Sequence, residues 1–252
     1  MLSIGGQGNS DTGKFMLQSI AKLYGYKLGA SDGELGRVKD FYFDDQTWTI
    51  RYVVADTGSW LPGRQVLIPP HVCGKLDLEG KILRVNLTRK QIEKSPSIET
   101  HKPVSRQFEE EYHRHFGWPY YWQGDAMLGL SGVPIVEAPP MPGRDVPVAS
   151  GGTPPKAGDA HLRSAQGVNG YQLRAGDEAI GHVCDFMIND QLWKIRQLVI
   201  KTGHRLSGRE VQMATSAIDR ISYEESTVYV NLTKEAIEQT PAQVLVPAGA
   251  VI

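Results

Sequence analysis

"DDQTWTIRYVVADTGSWLPGR", Asp44 to Arg64, and "NDQLWKIRQLVIKTGHRLSGR", Asn189 to Arg209, are two versions of one segment in a single chain of 252 residues. Sliding the chain against itself by about 145 residues extends the match without a gap, Leu17–Pro96 onto Leu162–Pro241. About 31 of those roughly 80 positions are identical, well above chance for a period of this length. The identities include Gly25/Gly170, Gly36/Gly181, Asp40/Asp185, Trp48/Trp193 and Arg51/Arg196, and "VNLT" closes each copy at Val85–Thr88 and Val230–Thr233. Within each copy, short β-rich runs alternate with turn signals, the pattern of a small barrel or sandwich. "SDGE" and "LEGK" supply hairpin turns. About six strands and one short helix per copy bury their edges best by closing, so the expectation is two small antiparallel barrels. The helix starts at Thr88 as N-cap, buries Ile92 and stops at Pro96.

Asp56-Thr57-Gly58 also spells the triplet of an aspartic protease. That chemistry needs two carboxylates sharing one proton. In a two-copy chain each copy should supply one, and the partner position of Asp56 is Lys201. An ammonium cannot share that proton, so the triplet reads as a strand end that turns at Gly58.

The copies are separated by two kinds of sequence. "PVSRQFEEEYHRHFGW" places Val104, Phe108, Tyr112 and Phe116 at helical steps, with Ser105 as a candidate cap and Gly117 as a stop. Trp118, Tyr120, Tyr121 and Trp122 follow as an aromatic cluster, and about half of the chain's 15 prolines lie between Leu130 and Asp159. The expected organisation is a loose tail at 1–16, a first barrel at 17–100, a helix with aromatic segment at 101–124, a linker at 125–160 and a second barrel at 161–245. Two separate cores are expected from this plan.

These residues resemble the PRC-barrel family, named for the photosynthetic reaction centre. The resemblance rests on "GYKLGASDGELGRVKDFYFDDQTWTIRYVVADTGSWLPGRQVLIPP" and "LTRKQIEKSP". "PVSRQFEEEYHRHFGWPYYW" resembles the segment that follows the barrel in stand-alone members. The likeness spans 17–122 and 161–241. It implies a binding or assembly module, in a family that includes the reaction-centre H subunit's cytoplasmic part and a domain of a ribosome-maturation factor. The second copy departs from the pattern at Lys201, Ser207 and "QMATSAI".

Composition is that of an ordinary globular chain: 40% hydrophobic, 22% charged, net charge −1. No basic field favours nucleic acid as the main ligand. No apolar run is long enough to span a membrane, and the N-terminus lacks a secretory core segment. Cys73 and Cys184 do not fall at equivalent positions and read as reduced thiols of a cytoplasmic protein. "GNSDTGK" at Gly8–Lys14 has phosphate-loop spacing but continues into Phe15, where magnesium binding needs Ser or Thr. Glu109/His113 and Glu111/His115 are helix neighbours without further metal ligands, and read as a solvated face. No cofactor, metal or catalytic set is expected, and the protein is expected not to be an enzyme.

The leading expectation is therefore a non-enzymatic cytoplasmic protein-interaction module with an unidentified protein partner. A homo-oligomer is compatible with it. An RNA- or ribosome-associated maturation factor is the alternative. Trp60, Trp118, Tyr120, Tyr121 and Trp122 are the partner-binding candidates. Hairpin register gives six structural candidates. If "FYFDDQTWTIR" turns at Asp45-Gln46, opposed residues sum to about 91. Phe43 then faces Trp48, Phe41 faces Ile50, and Asp40 faces Arg51. By the same rule Asp185 faces Arg196, and Trp193 joins Trp48 in the core.

Overall fold

The computed structural model describes residues 17–96, 106–120, 162–176, 178–203, 208–233 and 236–237. The expected tail with its phosphate-loop spacing, Ser105, Tyr121, Trp122, the stretch 125–160 and most of the second copy's closing helix lie outside the described residues. The first half runs β1 (Leu17–Ser19), α1 (Ile20–Leu23), β2 (Lys27–Ala30), β3 (Gly33–Asp44), β4 (Thr49–Asp56), β5 (Gln65–Ile68), a 3-10 turn, β6 (Cys73–Asp77), β7 (Ile82–Val85) and α2 (Arg89–Glu93). After α3 (Arg106–Phe116) the order recurs. It runs β8 (Leu162–Ser164), α4 (Ala165–Val168), β9 (Gln172–Ala175), β10 (Glu178–Asn189), β11 (Lys194–Thr202), β12 (Glu210–Ala214), a 3-10 turn, β13 (Ile218–Ser222) and β14 (Thr227–Val230). The protein is mainly β. Thr88 caps α2 in a full capping box with Gln91, and Ile92 is fully buried beneath it.

Closure is where the expectation of barrels departs from the structure. In each half the strands form one curled layer, β6-β7-β2-β3-β4-β5 in the first, and β5 shares no ladder with β6 among the described residues. Pro69-Pro70 ends β5, because proline has no N–H to give a ladder. The chain then crosses in the 3-10 turn Pro70–Val72. Two pairings, β2 with β7 and β9 with β14, are parallel, where an antiparallel barrel was expected.

The two halves are also joined. β4 and β11 pair at Thr49↔Lys194, with Ile50 N–H bonded to Trp193 O and Ile195 N–H to Trp48 O, both at 2.8 Å. This makes one 14-stranded sheet. Each half lends its first strand to the other: β1 pairs with β10 and β8 pairs with β3. Ile20, Leu23, Phe43 and Phe186 belong to one continuous apolar cluster, with the Phe43 and Phe186 rings 5.6 Å apart. The expectation of two separate cores is thereby corrected. A three-residue strand and a one-turn helix carry too few apolar residues to signal which half they will pack on.

The hairpin register is corrected as well. The turn between β3 and β4 spans four residues, closed by Trp48 N–H on Asp44 O at 2.7 Å, and each strand carries one bulge, Lys39 on β3 and Arg51 on β4. Phe43 therefore faces Ile50, Phe41 faces Val53, and Asp40 faces Val54 instead of Arg51. In the second copy Asp185 faces Val199, and Arg196 is exposed. Arg51 instead pairs with Asp44 at 3.0 Å. Trp48 reaches the core from a left-handed backbone (φ 59) and stacks on Phe43 at 5.7 Å. Trp193 also has a left-handed backbone, at φ 51, and is half-buried against the core.

Gly36 and Gly181 explain one shared identity. Gly36 has φ 138, and a Cβ built there or at Gly181 would collide with the carbonyl oxygen of Asp56 or Lys201 respectively. The bend lets β3 and β10 cross closely over their neighbours.

Candidate functional site

The aspartate triplet forms a strand-to-loop turn. Asp56 Oδ1 accepts from Gly58 N–H at 2.9 Å, and the buried Thr57 hydroxyl lies 2.7 Å from Leu61 O and 2.8 Å from Arg64 O. The loop it opens walls a cleft of about 690 Å³ in the first half. From β3, Glu34 and Gly36 to Lys39 line it. One side is Asp56 to Trp60, another is Arg89 at the start of α2, and Gln166 enters from the second half.

A bulge sets the position of Trp60. Between β2 and β3 the register shifts at Leu28/Gly29, so Leu35 has no partner across the ladder. The indole Nε1–H of Trp60 donates to the freed Leu35 carbonyl at 2.7 Å. Where Trp60 is replaced by Arg205, the equivalent carbonyl of Ile180 is met by Gly203 N–H at 3.1 Å. Trp60 is half-buried and carries the Arg89 guanidinium over its ring, 4.5 Å from the centroid. Lys39, the residue extruded by the second bulge, is exposed, and its carbonyl accepts from Gln166 Nε2 at 2.8 Å. In the cleft wall, burial pushes the Tyr24 phenol far up, helped by the charges of Asp40 and Asp185.

The aromatic segment lies elsewhere. "RYVVAD" is buried on both faces of β4: Val53 and Ala55 face the core, while Tyr52 and Val54 face α3. Tyr112 of α3 is fully buried and donates to Leu67 O at 2.8 Å. The Tyr52 hydroxyl lies 2.9 Å from Glu109 Oε1 and 2.8 Å from His113 Nε2, and His113 Nδ1 lies 2.9 Å from Pro119 O. Glu109 and His113 are each 2% exposed, so for this pair the expected solvated face is corrected to a sealed polar seam, while Glu111 and His115 are exposed as expected. Periodicity could not reveal it, since the partner that buries them is a tyrosine on a strand 57 residues away. Trp118 stacks on Phe116 at 4.2 Å and meets His113 edge-on at 5.9 Å; Tyr120 stacks on His113 at 5.9 Å. Trp118 and Tyr120 thus pack on their own helix, and Trp60 instead lines the cleft.

Asp40 and Asp185, expected to pair with arginines, cap helices across the seam. Asp40 accepts from the Ser164 hydroxyl and from Gln166 N–H at 3.1 Å; Asp185 accepts from the Ser19 hydroxyl and from Ala21 N–H at 3.0 Å. The free thiols of Cys73 and Cys184 are pushed up by burial, to about 12 and about 11. Among the described residues no group of three or more His, Cys, Asp or Glu could hold a metal ion, and no helix is long and apolar enough to cross a membrane. The sequence reading missed Arg37, Lys39 and Arg89. Each looks like an ordinary surface cation until β3 and the start of α2 bring them to one cleft.

Residues 19–92 match the family model of the PRC-barrel domain, which covers every cleft residue of the first half. No curated protein matches the chain.

Proposed function

With a PRC-barrel domain at residues 19–92 as the premise, we propose that the chain is a non-enzymatic protein-interaction or assembly module. It is built from two repeated halves joined in one sheet and works in the cytoplasm. The observation that carries the reading is the open cleft beside Trp60, walled by groups suited to hold a ligand and placed in the half that the family model matches. The convergent titratable set at Tyr52, Glu109 and His113 supports a structural reading over a catalytic one. Its three side chains are buried under α3, at most 2% exposed. The alternative, an RNA-associated factor, draws on the same cations, but Glu34 and Asp56 share the cleft with them.

The test is capture from native lysate with the full chain as bait, with and without nuclease, beside a Lys39→Glu variant. The expected result is a protein retained through nuclease treatment and lost with Lys39→Glu. Capture abolished by nuclease selects the RNA reading. Capture indifferent to Lys39→Glu removes the cleft as the docking site.

A further inference from the structure

The cleft has an unbalanced charge. Its two carboxylates have local partners: Glu34 pairs with Lys27 at 3.5 Å, and Asp56 holds Gly58 N–H at 2.9 Å. None of its three cations forms a close ion pair with a described residue, although Arg37 stands opposite Asp56 in the ladder. Arg37 donates one hydrogen bond, from Nη1 to Gly25 O at 3.1 Å; Arg89 lies over Trp60; Lys39 is exposed on its bulge, its charge felt by Asp40 beside it. The arrangement is held from below. Trp60 is tied to Leu35 O, and the Lys39 backbone is tied to Gln166 of the other half.

We infer that this cleft binds an acidic segment of a partner protein, with carboxylate side chains on Arg37 and Lys39 and an apolar neighbour beside Trp60. The inference rests on the module reading above and names its ligand. Charge decides for a peptide over a nucleic acid. A peptide presents carboxylates singly, separated by apolar side chains, so it can place them on the cations and leave Glu34 and Asp56 to solvent. A phosphodiester chain carries a charge at every residue and would meet both carboxylates. The size agrees, since about 690 Å³ is a pocket that encloses a few side chains. Arginine suits a carboxylate by its two-pronged geometry. The second half is not a duplicate site: His182, Cys184, Lys201 and Arg205 stand where Arg37, Lys39, Asp56 and Trp60 stand in the first.

The experiment is a titration of the full chain with a fluorescent peptide of alternating glutamate and leucine. The same peptide with glutamine for glutamate, and a uridine-tract RNA, serve as comparisons. The expected result is that the acidic peptide binds at least about tenfold tighter than the glutamine peptide and loses affinity as salt rises. Arg37→Gln and Lys39→Gln should each weaken it about three- to tenfold. Lys75→Gln, an exposed cation outside the cleft, should leave it unchanged. Unfolding midpoints of the variants establish that they are folded. Equal binding of the glutamine peptide, tighter binding of the RNA, no binding, or indifference to both substitutions overturns the inference. If lysate capture still depends on Lys39 while the acidic peptide fails, the ligand class falls and the module reading stands.

Discussion

Asp40 and Ser164, 124 residues apart, share a hydrogen bond that caps the first helix of the opposite half, and Asp185 and Ser19 share its counterpart. Asp40 is buried and Asp185 only half-buried. Asp40→Ala leaves the Gln166 and Phe41 N–H groups without their acceptor, and should destabilise by about 1–3 kcal/mol. Asp185→Ala should cost less, because water replaces its acceptor more readily. Urea unfolding of both variants checks the order.

The same aspartate shapes the pH profile. Burial pushes the Asp40 carboxyl up from 3.8, and hydrogen bonds from Ser164, Gln166 and Phe41 offset part of the rise. The folded state then holds a proton that the unfolded chain has released, so stability falls as pH climbs from 3.8 through the folded value. Asp40→Asn removes that slope. The gap between wild type and variant should move in the variant's favour as pH rises across the window, read from unfolding midpoints at several pH values.

Asp44 runs the other way. Burial alone would raise its carboxyl, but the Thr47 and Gln46 N–H groups and the hydrogen-bonded charge of Arg51 together hold it below 3.8. Its stabilisation is present above the ordinary carboxylate value and is lost as pH falls through the folded one. Arg51→Met should lower stability at neutral pH by about 1 kcal/mol, since the pair is largely but not fully buried. It should also flatten the acid limb of the stability curve. Asn189 accepts from the Gln191 and Leu192 N–H groups as Asp44 does from Gln46 and Thr47. Uncharged, it gives the second half no such limb.

Tyr52→Phe removes the hydroxyl that joins Glu109 to His113 beneath α3. A polar seam that loses a central member should cost about 1–3 kcal/mol. Tyr112→Phe, which leaves the Leu67 carbonyl without that donor, belongs at the lower end of that range. Unfolding followed by tryptophan fluorescence should report both variants, since Trp118 lies against His113 and Tyr112.

An engineered protease site between Tyr120 and Leu162 should release two fragments that stay together on size exclusion. The ladders β1–β10, β8–β3 and β4–β11 all cross the cut. Separation of the fragments under native conditions would contradict the shared sheet.

What the sequence made legible was what depends on short range. The Thr88 cap, the buried Ile92, the apolar side chains of β3 and the helix ended by Gly117 follow from patterns within a few residues. The bulges at Lys39 and Leu35 were invisible. A bulge is one extra residue in an unbroken alternating run, and only the partner strand reveals it. The four-residue turn and a further extra residue, Arg51 on β4, moved Asp40 away from Arg51 and left its true partner, on the other copy, unseen. Trp60 was legible as a loop tryptophan, but its tie to Leu35 O depends on one of those bulges.

The exchanged first strands also set an order of events during synthesis. Ser19 leaves the ribosome 166 residues ahead of Asp185, the group that receives it. At about 5–20 residues per second, on the order of ten seconds or more pass between the two. Throughout that interval Ile20 and Leu23, fully buried in the finished molecule, lack the β10 surface they cover. The nascent first half is an adhesive intermediate by construction. Translation speed and chaperone supply, more than final stability, should govern the yield of this protein in a cell.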